Sequence, residues 1–205
     1  MIENIVFDMG QVLIHWQPER LIAHFGFTPQ EEAAVIRELF QSVEWVMLDR
    51  GTISEEAAAE QVCARLPEKY HDAVREEIFR WHERPLEGME GMADLVRELK
   101  GEGYGIYLLS NASLALRSYF PRIPGSECFD GLMVSAEEKL LKPQHEIFEA
   151  FLARFSLKAE TCFFIDDAPA NVEGASRVGI RGTVFRGDAS RLRRDLRAAG
   201  IRCCP

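Results

Sequence analysis

Five apolar runs of strand length, interleaved with helical patterns, leave this chain few possible architectures. The runs are Asn4 to Phe7, Gly105 to Leu109, Gly131 to Val134, Cys162 to Ile165 and Thr183 to Phe185. Candidate helices over residues 89–101, 112–120, 143–156, 169–179 and 188–199 lie among the later runs. Strands alternating with helices predict an α/β fold with a parallel sheet covered on both faces. A 47% hydrophobic content over 205 residues supplies one good core, or one core and a smaller lobe.

The alternation breaks once. From about Gln17 to Glu83 there is no convincing strand, and four helical stretches take its place. Thr28-Pro29-Gln30-Glu31 and Ser54-Glu55-Glu56 read as helix starts, with acidic residues in the first turn. About 65 residues is too long for an ordinary strand-to-helix connection. The expectation is a second, all-helical lobe over residues 15–84, inserted into a core made of residues 1–14 and 85–205. Ile14 to Pro18 and Arg84 to Gly88 are the expected hinges.

Distinctive polar residues follow four of the strands. The first run stops at Asp8, and in open α/β sheets ligands sit beyond the carboxyl ends of the strands. The second leads into Ser110-Asn111-Ala112-Ser113, which reads as an anion-holding helix start or as a plain N-cap. After the third comes Lys139-Leu140-Leu141-Lys142-Pro143. Pro143 suits a first helical position and keeps Lys142 extended, so Lys142 is either a fixed cation at the rim or a solvated lysine. The fourth ends in Asp166-Asp167-Ala168-Pro169-Ala170-Asn171, and a helix start needs only one capping carboxylate.

In a parallel sheet Asp8, Ser110, Lys142, Asp166 and Asp167 converge on one rim. Two like charges about 4 Å apart repel by about 4 kcal/mol at an effective dielectric of about 20. Such a cluster holds protons or binds a cation. An all-oxygen set with few ligands suits Mg²⁺, and Lys142 and Ser110 suit phosphate oxygens. The pattern predicts a phosphate-handling pocket with a nucleophilic carboxylate.

These motifs, in this order along the chain, resemble the haloacid dehalogenase (HAD) superfamily. The helical insert between Asp8 and Ser110 is similar to the small α-helical cap of that family. The alpha-glucose-1-phosphate phosphatase group and the N-terminal phosphatase domain of epoxide hydrolases are the most similar branches. The resemblance implies a Rossmann-like parallel-sheet core and Mg²⁺-dependent hydrolysis of a small phosphomonoester, such as a sugar phosphate, through an aspartyl-phosphate on Asp8. It implies Asp8, Asp166, Asp167 and the main-chain carbonyl of Gly10 as metal ligands. Ser110 and Asn111 would hold phosphate, Lys142 would balance charge, and Asn171 would orient the site.

One departure stands out. Most phosphatases of the family carry an Asp two residues after the nucleophile, as proton donor and then base. Gly10 stands there instead. General acid–base catalysis contributes about 10²–10⁴-fold, so either the leaving group needs no help or another group supplies the proton. His15 or a residue of the cap is a better source than Gln11. The alternative is a non-catalytic protein that binds a phosphorylated ligand. A dehalogenase reading leaves the Asp166-Asp167 pair unexplained.

The remaining features narrow the partners. A net charge of −9 disfavours nucleic acid. Arg191, Arg193, Arg194 and Arg197, with Asp188 and Asp195 among them, read as the exposed face of a last helix. Five cysteines without a CxxC pair suggest neither zinc nor a disulfide framework, but reduced thiols in the cytoplasm. No apolar stretch reaches the roughly 20 residues of a membrane span. Trp16, Trp45 and Trp81 read as packing of the cap and its hinge, or as a wall facing a substrate ring. Glu44, Asp49 and Arg50 read as a solvated turn before Gly51 or, for Arg50, as a contact to substrate.

Overall fold

In the computed structural model, which describes residues 1–204, the five strands form one parallel sheet. They are β1 (Asn4–Phe7), β2 (Gly105–Ser110), β3 (Gly131–Val134), β4 (Cys162–Asp166) and β5 (Arg181–Val184). The order across the sheet is β3-β2-β1-β4-β5. β1 is therefore central, with Phe7 level with Leu108 of β2 and Ile165 of β4. The chain first builds outward through β2 and β3, then returns to the other side of β1. That reversal opens a crevice at the carboxyl ends of β1 and β4, where ligands bind in open sheets.

The two-residue period of the strands sorts their side chains onto opposite faces. Ile5, Phe7, Ile106, Leu108, Phe163 and Ile165 face one apolar layer, and Val6, Leu109, Cys162 and Phe164 face the other. Both layers are covered by helices, as a parallel sheet requires. Helices over Met92–Gly101 and Ala189–Ala198 contribute Leu95, Leu99, Leu192 and Leu196 to the first. Helices over His145–Phe155 and Pro169–Arg177 contribute Phe148, Phe151 and Ala175 to the second.

Between β1 and the core helix at Met92 lie five α-helices rather than four: α1 (Pro18–Ile22), α2 (Pro29–Leu39), α3 (Val43–Arg50), α4 (Glu55–Cys63) and α5 (His71–Arg80). The expected helix starts are real. Thr28 and Glu31 form a reciprocal capping box, and Ser54 accepts from the Ala57 N–H. Helices α2–α5 share an apolar cluster around Leu39, Leu48, Val62, Val74 and Ile78. The chain enters and leaves this insert side by side. His15 N–H donates to the Glu87 carbonyl at 2.9 Å and Met89 N–H to the Leu13 carbonyl at 2.8 Å.

Three local expectations change. β5 begins at Arg181, two residues before the apolar run that marked it. Helix His145–Phe155 starts after Pro143, which lies outside it in a cis peptide with Lys142. The segment after Ser110 does not cap a helix directly, because the next helix is Leu116–Tyr119.

Candidate active site

The strands deliver their terminal polar residues to one point. Lys142 is its centre and is 4% exposed, not solvated. Lys142 Nζ lies 2.7 Å from Asp8 Oδ1 and 2.7 Å from Asp166 Oδ2, and donates to the Leu109 carbonyl at 2.9 Å. Its three N–H donors thus meet three acceptors. Burial works against the ammonium charge, but Asp8 and Asp166 outweigh it and hold the Lys142 pKa above its usual range.

Local sequence explains how a lysine reaches this place. The Asn111 side chain grips the Lys142 backbone from both sides. Lys142 N–H donates to Asn111 Oδ1 at 2.9 Å, and Asn111 Nδ2 donates to the Lys142 carbonyl at 3.0 Å. Gly174 lets the helix over Pro169–Arg177 lie against this segment, since a Cβ there would come within 2.5 Å of the Pro143 carbonyl. The amide of Asn111 is therefore engaged in positioning Lys142.

Asp166 is fully buried and held in place. It accepts from Ala168 N–H at 2.8 Å, from Asn171 Nδ2 at 3.0 Å and from Lys142. Asp167 is exposed, yet partial burial and the charge of Asp166 raise its pKa. Burial, with repulsion from Asp166 and against the pull of Lys142, raises Asp8 to about 6. Asp8, Asp166 and Asp167 each offer an oxygen within 4.8 Å of the others. Three carboxylates face one lysine, so the cluster carries uncompensated negative charge. Its all-oxygen donors suit Mg²⁺, and no described residue donates to the neighbouring Gly10 carbonyl.

Above this floor lies a cavity of about 140 Å³. Asp8, Gly10, Ser110, Asn111, Ser113, Lys142 and Asn171 form its polar end, and Trp16, Trp45, Leu48, Ile78, Trp81 and Tyr119 its apolar walls. The tryptophans therefore both pack and line. Trp16 meets Trp81 edge-on at 4.7 Å and Trp45 at 5.7 Å. Gln11 and His15 lie elsewhere, in a separate surface depression beside Asp167.

Three contributors were not assigned to the site from sequence: Ser135, Asp49 and Glu55. Ser135 is fully buried; its hydroxyl accepts from the Ala112 N–H at 2.8 Å and donates to the Asp49 carbonyl at 2.5 Å. Asp49 and Glu55 also line the cavity, and the turn before Gly51 is half-buried rather than fully solvated. Glu44 is only 3% exposed and pairs with Arg65 at 2.7 Å. A buried serine next to a strand end gives no pattern in sequence. Asp49 had only its place before a Gly, which marks the turn and not its direction.

Comparison with known proteins places the chain in one family. The sequence profile of the haloacid dehalogenase-like hydrolases matches residues 2–179. Sesquiterpene phosphatase astK of Aspergillus oryzae is 28% identical over 178 residues, covering 86% of each chain. Flavin mononucleotide hydrolase 1 of Arabidopsis thaliana is 24% identical over 157 residues, covering 77% of this chain and 62% of that protein. The HAD family enzyme bt-2542 of Bacteroides thetaiotaomicron, solved with magnesium and inorganic phosphate, superposes with a TM-score of 0.69 at 26% identity. The match covers 94% of this chain and 99% of that one.

Proposed function

The chain belongs to the haloacid dehalogenase-like hydrolases, and we propose that it is a Mg²⁺-dependent phosphatase in which Asp8 attacks the phosphorus of a small phosphomonoester. One observation carries this reading. Asp8 closes the floor of the cavity while paired at 2.7 Å with a buried lysine, within a cluster of three carboxylates. With its pKa at about 6, Asp8 is mostly ionised near neutral pH and able to act as a nucleophile.

Each neighbour has a role on this reading. Lys142 offsets the charge of Asp8 and fixes its orientation. Asn171 and Lys142 lock Asp166, and Asn111 holds Lys142 in register. Ser110 and the backbone at Asn111 face the phosphoryl group. Asp8, Asp166, Asp167 and the Gly10 carbonyl would hold Mg²⁺. That ion would supply positive charge for the phosphoryl oxygens. The phosphatase name of the Aspergillus relative and the magnesium and phosphate in the Bacteroides structure support the assignment.

The substrate is compact. The cavity, at about 140 Å³, is below the roughly 300–1,000 Å³ of drug-sized pockets. Its aromatic and aliphatic walls favour an alcohol with an apolar or ring-shaped body. A sugar phosphate is the second reading, favoured by Asp49 and Glu55, which give hydroxyl groups a polar partner on the same walls. We read residues 15–84 as a cap that closes over the core of residues 1–14 and 85–205 and excludes water during transfer. The unpaired cysteines suit a reducing compartment such as the cytoplasm. No described helix is long and apolar enough to cross a membrane.

A panel of small alkyl, prenyl, aryl and sugar monophosphates tests the proposal. Phosphate release that requires Mg²⁺, stops on chelation and is restored by added Mg²⁺ is the expected result. Saturable binding of the same compounds without turnover would instead establish the non-catalytic alternative that Gly10 raises.

A further inference from the structure

Gly10 leaves Asp8 without an acid beside it, and we infer that Asp49, from the helical insert, is the catalytic acid and base of this site. The inference rests on the phosphatase reading above. Asp49 is the penultimate residue of α3, and the structure turns it inward. Its backbone carbonyl, not its carboxyl group, takes the 2.5 Å hydrogen bond from Ser135 Oγ. The next turn is pressed onto the core at Gly51, where a Cβ would lie 2.1 Å from the Ala136 carbonyl. These two contacts seat the end of α3 on the sheet rim, Asp49 lines the cavity that Asp8 floors, and its carboxyl group is buried near enough to Asp8 and Lys142 to sense both charges.

The other candidates fail on place or chemistry. His15 and Gln11 open onto the depression on the Asp167 side of the cluster and do not line the cavity above Asp8. Tyr119 lines the cavity, but burial and the nearby charges of Asp49 and Asp8 raise its phenol far above neutrality. Glu55 also lines it, but the charge it senses is that of Glu56 on its own helix. Asp49 instead senses Asp8 and Lys142 across the cavity. The groups facing it are thus Asp8 from β1, Lys142 from the loop after β3, and Tyr119. Burial and the charge of Asp8 push its carboxyl up to about 7. A carboxyl in that range can donate and accept a proton near neutral pH.

The steps balance. As Asp8 Oδ forms its bond to phosphorus, the bond from phosphorus to the ester oxygen breaks. The proton of the Asp49 carboxyl moves to that oxygen, and a neutral alcohol leaves. The Asp49 carboxylate then takes a proton from water as the water oxygen bonds to phosphorus. The bond from phosphorus to Asp8 breaks, releasing inorganic phosphate and returning Asp49 to its acid form.

Leaving-group dependence tests the assignment. Wild type, Asp49→Asn and Asp49→Ala are compared on an alkyl phosphate, which needs a proton donor, and on p-nitrophenyl phosphate, which does not. Both variants keep the backbone carbonyl that Ser135 holds. The expected result is a fall in kcat/KM of about 10²-fold or more on the alkyl ester, with only a few-fold change on the aryl ester. Equal losses on both esters, or none on either, would overturn the role of Asp49 while leaving the phosphatase reading intact. Absence of turnover of either ester by wild type would overturn the phosphatase reading, and this assignment with it.

Discussion

Lys142 is the residue on which the site's electrostatics depend. Its side chain is 1% exposed and lies between two carboxylates. Removing one member of a buried charge cluster strands the others in a poor solvent for charge. Lys142→Met should therefore destabilise the metal-free protein by about 3–5 kcal/mol, read as a lower urea midpoint at unchanged slope. Added Mg²⁺ should recover part of the loss, because a cation at the cluster again offsets Asp8 and Asp166. The gathering of carboxylates here was legible in sequence from Asp8, Asp166 and Asp167 at strand ends. That Lys142 is buried was not, because its burial depends on the Asn111 clamp and the close approach at Gly174. Both are contacts between segments far apart in the chain.

Among the elements, the strands were the most legible and the insert the least. A buried parallel strand must be apolar on both faces, so β1, β2 and β4 mark themselves, and their polar ends follow. β5 has Arg181 and Gly182 in its first half, so its start was misplaced. The helices of the insert announce their beginnings through Thr28 and Ser54, but helical periodicity does not say which residue faces the core across a hinge. Asp49 was lost for that reason. The junction that orients it makes a prediction at this scale. Gly51 has φ +71° and no room for a Cβ against Ala136. Gly51→Ala should cost about 1–3 kcal/mol and lower kcat by tilting α3 off the rim. A thermal midpoint equal to that of wild type, with equal kcat, would show that α3 does not depend on this contact.

For the whole molecule, the sheet places the polar cluster and the insert supplies most of the apolar walls of the cavity above it. The strand reversal beside β1 opens the crevice, and four strand ends furnish its floor. The insert adds the tryptophans and Asp49, and paired segments at Leu13–His15 and Glu87–Met89 tie it to the core. Everything rests on Asp8 as the nucleophile. The direct measurement is Mg²⁺-dependent phosphate release by wild type and by Asp8→Asn, on the best substrate of the monophosphate panel, with folding of both verified by circular dichroism. A loss of at least about 10³-fold in kcat is predicted for the variant. An Asp8→Asn protein that releases phosphate at the wild-type rate would contradict it.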